Sequence, residues 1–226
     1  MPQLAIVVPV LNEGARIVAL AAALAPAQAA GDEVVLVDGG STDDTVARAR
    51  GAGLRVIAAE RGRAAQMNAG AAATAASVLW FVHADTVPDV DTRAAVIAAT
   101  ARAPAWGRCA VRFDDRSWPF AVIAWAMNLR SRLTAIATGD QALFTTRDLF
   151  DRVGGYPPLA LMEDIEICAA LRRHRRPCCL RAVVTTSARR WRSRGVVRTI
   201  LLMWSLRLAW FCGVPAGRLA RWYGYR

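Results

Sequence analysis

Within the first 85 residues, four short apolar runs are separated by Ala-rich stretches with helical character. The runs Leu4–Val10, Glu33–Val37, Leu54–Ala58 and Val78–His83 have the length and β-branched content of strands. Between them, Gly14–Ala30 is predicted as a helix interrupted or ended near Pro26. Asp43–Ala52 is predicted as a helix begun by Ser41 or Thr42 as N-cap, and Ala64–Ala75 as a third. Strands that are apolar along their whole length and alternate with helices form a mostly parallel sheet covered on both faces. This α/β pattern also says where to look for a site, because ligands of such sheets bind outside the carboxyl ends of the strands.

Each run ends in polar residues. Asn12 and Glu13 follow the first, and Asp38-Gly39-Gly40-Ser41-Thr42-Asp43 the second. Glu60, Arg61, Gly62 and Arg63 follow the third, and His83-Ala84-Asp85-Thr86 closes the fourth. Turns use Asp, Gly, Ser and Asn for their own geometry, so any one cluster has an ordinary reading as turn and cap. Four clusters on one rim, one of them ending an apolar run in a carboxylate, point to a binding site instead. Beyond residue 86 the pattern loosens. Cys109–Phe113, Gln141–Thr145 and Ala182–Thr186 read as strands and Phe120–Ile136 as an apolar helix. Gly154-Gly155-Tyr156-Pro157-Pro158 reads as a turn, and Leu161–Arg173 as a helix opening with Glu163, Asp164 and Glu166. Acids in a first turn complement the helix dipole, so stability alone would also account for that trio.

Composition removes several chemistries. All 29 basic residues are Arg and none is Lys, which excludes a Schiff-base enzyme, a standard P-loop NTPase and a protein kinase. Two His, His83 and His174, exclude a three-His zinc site. The five Cys are odd in number and lack CxxC spacing, as unpaired thiols of a reducing compartment would be. The first apolar run, Leu4 to Leu11, is too short for a secretory signal, so a cytoplasmic protein is expected. The formal charge of +11 is unevenly spread. Residues 1–166 hold 15 Arg against 18 acids, whereas residues 167–226 hold 14 Arg and no acid.

Val7-Val8-Pro9-Val10-Leu11-Asn12-Glu13, Val37-Asp38-Gly39-Gly40-Ser41-Thr42-Asp43 and His83-Ala84-Asp85-Thr86 resemble the motifs of a family 2 glycosyltransferase. So do Gly139-Asp140-Gln141, Gly154-Gly155-Tyr156 and Glu163-Asp164, in that family's order and over about residues 1–195. The His-Ala-Asp version and the Arg-rich tail look most like the branch associated with arsenosugar biosynthesis. The resemblance implies a GT-A fold, a UDP- or GDP-linked sugar donor, Mn²⁺ or Mg²⁺, and inverting transfer, with a hexosyl group as the expected cargo. The acceptor it implies is a small molecule or a lipid-linked one.

On that reading Asp38 accepts hydrogen bonds from the base and Glu13 from the ribose, with Pro9 and Asn12 in the same pocket. Gly40 allows close backbone approach, and Ser41 leads into a helix N-terminus that favours negative charge. Arg63, Gln66 and Asn68 form a further polar face near the nucleotide. Asp85 is the metal ligand. His83 stands where many relatives have a first acid; as a second ligand it would favour Mn²⁺ over Mg²⁺, and as a packing residue it would leave the metal to Asp85. Asp164 resembles the family's catalytic base, which takes the acceptor hydroxyl's proton as that oxygen attacks the anomeric carbon. Glu163 orients the acceptor or supports the loop, and Asp140 shapes the acceptor pocket. Ser187-Ala188-Arg189-Arg190-Trp191 resembles the Gln-x-x-Arg-Trp element of processive members, with Ser187 in place of Gln. Arg190 then clamps the diphosphate and Trp191 lines the acceptor cleft, while the missing Gln argues against a polymer synthase.

The segment Val196–Gly213 is apolar but carries Arg198 and Arg207, which makes it a poor spanning helix and a good interfacial one. Leu219–Tyr225 reads as a second amphipathic turn. The expected organisation is a catalytic domain over 1–195 and a basic helical tail over 196–226. That tail either contacts the inner face of the plasma membrane peripherally or mediates a homodimer. Nucleic acid is disfavoured because the catalytic part is slightly acidic. Two other functions fit the same sheet less well. A nucleotidyltransferase would normally place a basic residue, often Lys, at the transferred phosphate, and a non-catalytic membrane or RNA-binding module would show steeply salt-dependent RNA binding with no donor-induced thermal shift.

Overall fold

The computed structural model describes residues 3–101 and 104–224. Its first half is the alternation read from sequence: β1 (Leu4–Val10), α1 (Gly14–Ala29), β2 (Glu33–Asp38), α2 (Thr45–Gly51), β3 (Arg55–Ala58), α3 (Arg63–Ala72) and β4 (Val78–Phe81). There follow β5 (Thr86–Pro88), α4 (Thr92–Thr100), β6 (Trp106–Phe113), α5 (Trp118–Thr134) and a 3-10 turn at Gly139–Gln141. The chain continues with β7 (Leu143–Thr146), α6 (Arg147–Arg152), α7 (Glu163–His174), β8 (Cys178–Thr186), α8 (Arg189–Arg194), α9 (Val196–Phe211) and α10 (Ala216–Tyr223). The expected final turn, Leu219–Tyr225, ends on a residue that lies outside the described ones.

One sheet holds all eight strands in the order β3-β2-β1-β4-β7-β6-β8-β5. β1 to β4 are parallel, β7 is antiparallel to both its neighbours, and β5 is antiparallel to β8. The two-residue period of β1 and β2 sorts their side chains onto two cores. Leu4, Ile6, Val8, Val34 and Leu36 pack on one face. Ala5, Val7, Val35 and Val37 pack on the other, against Met67 and Ala71 of α3. All seven residues of β1 are buried. Pro9 is tolerated there because the β1–β4 register ends at Val7 opposite Phe81, so its missing N–H breaks no ladder bond on that side.

Several boundaries differ from expectation for local reasons. α1 runs through Pro26 to Ala29, since Leu24 and Ala27 are buried and the Pro26 carbonyl still accepts from Ala30. α2 starts at Thr45 rather than after Ser41 or Thr42, because those two residues are bonded to the first loop instead. The strand expected at Gln141–Thr145 begins two residues late. Gln141 belongs to the 3-10 turn, where it closes a capping box with Thr138, and Ala142 is left-handed at φ 46°. The fourth run leaves the sheet at Phe81, which places His83 in the loop.

The start of α5 is tied to α8 by Asp115, whose carboxylate accepts from the Ser117 backbone N–H and from Arg192. The Ser117 bonds and the Arg192 guanidinium hold this carboxyl down at about 2. A depressed carboxyl contributes stability that is present above its unfolded value and lost as pH falls through the folded one. Asp115→Asn should therefore flatten the acid limb of the stability profile between about pH 4 and pH 2, and leave its neutral shape unchanged. Chemical denaturation at a series of pH values reads this directly.

Candidate active site

The four strand-end clusters converge, and much of their polarity is spent on holding the rim together. The Asn12 backbone N–H donates to Ser41 Oγ at 2.9 Å, and Thr42 N–H donates back to Asn12 Oδ1 at 2.8 Å. Glu13 N–H donates to Thr45 Oγ1. Gly14 N–H donates to Asp43, whose other oxygen accepts from the Thr45 backbone at the head of α2. The chain thus supplies its own negative charge to that helix end, where the sequence suggested an open anion site. Asn12 takes the left-handed conformation at φ 53°, which Asn tolerates better than most residues. Asp38 is buried and its carboxylate accepts from the Gly40 and Ser41 backbone N–H groups. Gly40 sits at φ 91°, and a Cβ there would meet no protein atom within 4 Å, so the loop's outer face is open.

Two residues expected on the nucleotide face turn their amides to the backbone. Gln66 is buried, and its amide donates to the carbonyls of Val10 and Val37, clasping β1 and β2 where their ladder ends. Asn68 spends both ends of its amide on the backbone of Tyr156, accepting from its N–H and donating to its carbonyl. Gly155 keeps φ 73° beside Asn68, so the Gly-Gly-Tyr motif is a docking turn that seats Tyr156 edge-on against Phe81. Polar type and position were legible in sequence; the direction each side chain takes out of α3 was not.

At the next loop the chemistry concentrates. His83, Asp85 and Asp140 each offer a ligand atom, and these atoms lie within 4.8 Å of one another. His83 Nδ1 is 3.8 Å from Asp140 Oδ1. Burial pushes the Asp140 carboxyl up, but the neighbouring His83, with Arg190 and Arg63, outweighs it and holds it below the usual range. One imidazole and two carboxylates fit a small divalent ion, Mn²⁺ in particular, with room in the shell for oxygens from a substrate. Asp140, expected to shape the acceptor pocket, therefore stands with the metal-ligating group. Sequence reasoning also missed what positions His83. A Cβ on Gly139 would lie 2.0 Å from its Cε1, so only glycine lets the ring approach. Gly139→Ala should displace the ring and weaken Mn²⁺ binding by about tenfold, measurable by calorimetry, while the melting temperature changes little.

Glu13 borders this group. Burial raises its carboxyl above the usual range, against the pull of Arg16 and Arg189 and with a further push from Asp85. Arg16 also donates to Ser187, whose backbone N–H donates to the Asp85 carbonyl. The end of β8 is thereby fastened to the first and fourth loops.

On the far side, Glu163 and Asp164 open α7 after Met162, which is left-handed at φ 71°. They diverge. Glu163 is 2% exposed and pairs with Arg63 Nε at 2.8 Å. Its second oxygen is buried without a partner, and burial raises its carboxyl above the usual range despite Arg63. Asp164 instead lines a cavity of about 650 Å³ together with Arg63, His83, Asp140, Arg190 and Trp191. Arg190 bonds the Tyr223 hydroxyl of α10 and lies 5.4 Å over its ring. Trp191 packs edge-on against Phe113 at 5.8 Å.

A mostly parallel sheet with a His-Asp-Asp group beside a cavity that Asp140 and Asp164 reach defines a class, and the comparisons place the chain in it. The glycosyl transferase family 2 model matches residues 5–156, and the chain belongs to that family. No curated protein sequence matches it. Solved structures do. A mannosyltransferase from Pyrobaculum calidifontis, in complex with GDP-Man and Mn²⁺, superposes with a TM-score of 0.62 at 21% identity, over 81% of this chain and 56% of that one. Glucosyl-3-phosphoglycerate synthase from Mycobacterium tuberculosis, in complex with Mn²⁺, UDP and glucosyl-3-phosphoglycerate, gives 0.61 at 18% identity, over 82% and 70%. S. aureus TarS 1-349 gives 0.62 at 20% identity, over 82% and 60%. At such identities the likeness establishes the GT-A fold. The chain spans 65% and 56% of the first two structures it matches.

Proposed function

We propose that the protein is an inverting, metal-assisted glycosyltransferase that moves a hexosyl group from a UDP- or GDP-linked donor to an acceptor hydroxyl. The observation that carries this is that one cavity is lined by Asp164 together with His83 and Asp140 of the His83-Asp85-Asp140 group. His83, Asp85 and Asp140 would hold Mn²⁺, which supplies a Lewis acid to the departing nucleoside diphosphate when bound. Asp38, Glu13, Pro9 and the open face of Gly40 form the nucleoside pocket. Arg63 and Arg190, which both line the cavity, face the diphosphate. Asp164 accepts the hydroxyl proton as the acceptor oxygen attacks the anomeric carbon from the face opposite the leaving group. Trp191 lines the acceptor cleft, and Glu163 fixes Arg63 rather than touching substrate.

The catalytic unit on this reading is 1–195, and the Arg-rich helices of 196–226 attach it peripherally to an anionic membrane. None of the described helices is long and apolar enough to cross a membrane. The His-Ala-Asp motif and the Arg-rich tail together support a place beside the arsenosugar-type branch. A thermal-shift panel of UDP- and GDP-sugars with and without Mn²⁺ tests the core of the proposal. A shift of several degrees that requires both donor and Mn²⁺ is expected; no response to any uridine or guanosine donor would remove it.

A further inference from the structure

Two apolar stripes stay uncovered, and they border one cavity. On α5, Trp118, Val122, Trp125, Leu129 and Leu133 recur every three or four residues and are all exposed. On α9, Val197, Leu201, Trp204, Leu208 and Phe211 repeat the pattern. The cavity of about 650 Å³ lies between the two helices, with Ile123 and Met127 on one wall and Ile200 and Met203 on the other. Val122, Trp204, Leu208 and Phe211 belong both to the stripes and to the cavity lining, so the apolar surface runs inward without a break. The inner end is polar and reaches Asp140 and Asp164.

Two cations line that cavity with no carboxylate in ion-pair contact with either, although the charge of Asp164 reaches both. Neither Arg130 of α5 nor Arg207 of α9 forms an ion pair among the described residues. Nε and Nη2 of Arg130 are buried with no hydrogen-bond partner. Burial, and then the charge of Arg207, brings Arg130 down to about 10, and burial lowers Arg207 as well. Arg130 therefore remains charged at neutral pH, and its unpartnered nitrogens are costly to leave unmet. An anion with several acceptor oxygens would satisfy them, and phosphate matches guanidinium forks well.

The chemistry of the surroundings selects the occupant. Aromatic and aliphatic stripes with Arg at their borders are the composition of helices that lie in a bilayer interface. The last 60 residues, 167–226, carry 14 Arg and no acid, which favours an anionic leaflet and opposes a second copy of the same surface. We propose that α5 and α9 together dock on an anionic bilayer, and that the cavity between them takes the headgroup of a hydroxyl-bearing anionic phospholipid. Its phosphate lies between Arg130 and Arg207 and its hydroxyl faces Asp164. The acceptor role of that lipid rests on the transferase reading; the docking surface and the phosphate subsite do not. In the transfer step the lipid oxygen bonds to the anomeric carbon, its proton passes to Asp164, and the bond from that carbon to the diphosphate oxygen breaks. The nucleoside diphosphate leaves with the electron pair.

The test uses the full chain in two measurements. In vesicle flotation, phosphatidylglycerol-containing vesicles should carry the wild type and pure phosphatidylcholine vesicles should not. Trp125→Asp and Leu133→Asp on α5, outside the cavity lining, should each weaken flotation by about tenfold or more. In calorimetry, soluble dihexanoyl phosphatidylglycerol should bind at least about tenfold more tightly than either dihexanoyl phosphatidylcholine or inorganic phosphate. Arg130→Gln and Arg207→Gln should each remove that preference, and Arg130→Lys should restore part of it. All the variants should keep the wild-type far-ultraviolet spectrum, and the two Arg→Gln variants should still float. Flotation unchanged by the α5 variants, equal binding of the two short-chain lipids, phosphate binding as well as the lipid, or a stable dimer that buries both stripes without vesicles would each overturn the proposal. Lipid binding through Arg130 in a chain that shows no donor response would instead remove the transferase reading and leave the docking surface standing.

Discussion

Asp164→Asn should lower the turnover number by between about 10² and 10⁴-fold, the usual worth of a positioned general base, which corresponds to roughly 3–5 kcal/mol of barrier. Donor binding in the presence of Mn²⁺ should stay within about twofold of wild type. The reason lies in how the two neighbouring acids diverge. Glu163 is locked against Arg63 and 2% exposed, so it cannot meet an acceptor without breaking a buried pair. Asp164 lines the cavity that His83 and Asp140 also line. Replacing its carboxylate by an amide keeps shape and removes basicity. Glu163→Gln makes the contrast. It should destabilise the fold by about 1–3 kcal/mol, because Arg63 loses its charged partner, and it should affect KM and kcat together through the loosened Arg63. Single-turnover kinetics separates the two outcomes. Asp164→Asn with a normal chemical step and only a raised acceptor KM would make Asp164 a binding residue.

These two acids show why some of the site was legible in the sequence and some was not. The Glu-Asp pair is visible as a motif, yet which carboxylate turns inward depends on Met162 taking φ 71°, a conformation no periodicity announces. The parallel half of the sheet was readable because β1, β2 and β4 are buried on both faces and so are largely apolar; β1 and β2 fall where the runs fall. The three-residue β5 and the short α6 and α8 were not, since their length leaves no period to detect and their pairing partners are distant in sequence. Gln66 and Asn68 were placed on the right helix, but α3 turns both toward backbone groups that strand ends and the Tyr156 turn leave unpaired. The pairing of Arg130 with Arg207 across α5 and α9 has no local signature at all. It arises only when the C-terminal helices pack back beside α7, with Leu206, Leu219 and Tyr223 buried against Leu161 and Ile165.

Asp85→Asn should weaken Mn²⁺ binding by about 10² or more, since it removes one of two carboxylates from a three-residue ligand set and leaves a neutral amide in its place. The three ligand atoms reach one another only because Gly139 admits the His83 ring and because the Ser187 backbone fixes the Asp85 loop. Loss of Asp85 therefore costs affinity without unfolding the loop, whose own hydrogen bond runs through the Asp85 carbonyl. The variant carries a second, metal-free signature. Asp85 is one of the groups that push the Glu13 carboxyl up. Removing that negative charge should lower the Glu13 value toward the ordinary carboxylate range, which NMR titration of the Glu13 side chain follows directly. The sign is fixed by Coulomb's law: an anion disfavours a second charge nearby, and its removal makes ionisation easier. Electron paramagnetic resonance of free Mn²⁺ then counts binding, and the donor thermal shift should lose its dependence on Mn²⁺ in the same variant. If Asp85→Asn binds Mn²⁺ as wild type does while His83→Ala or Asp140→Asn abolishes it, the ion sits against the Gly139 turn instead, and the fourth strand's carboxylate serves Glu13 and the nucleoside pocket.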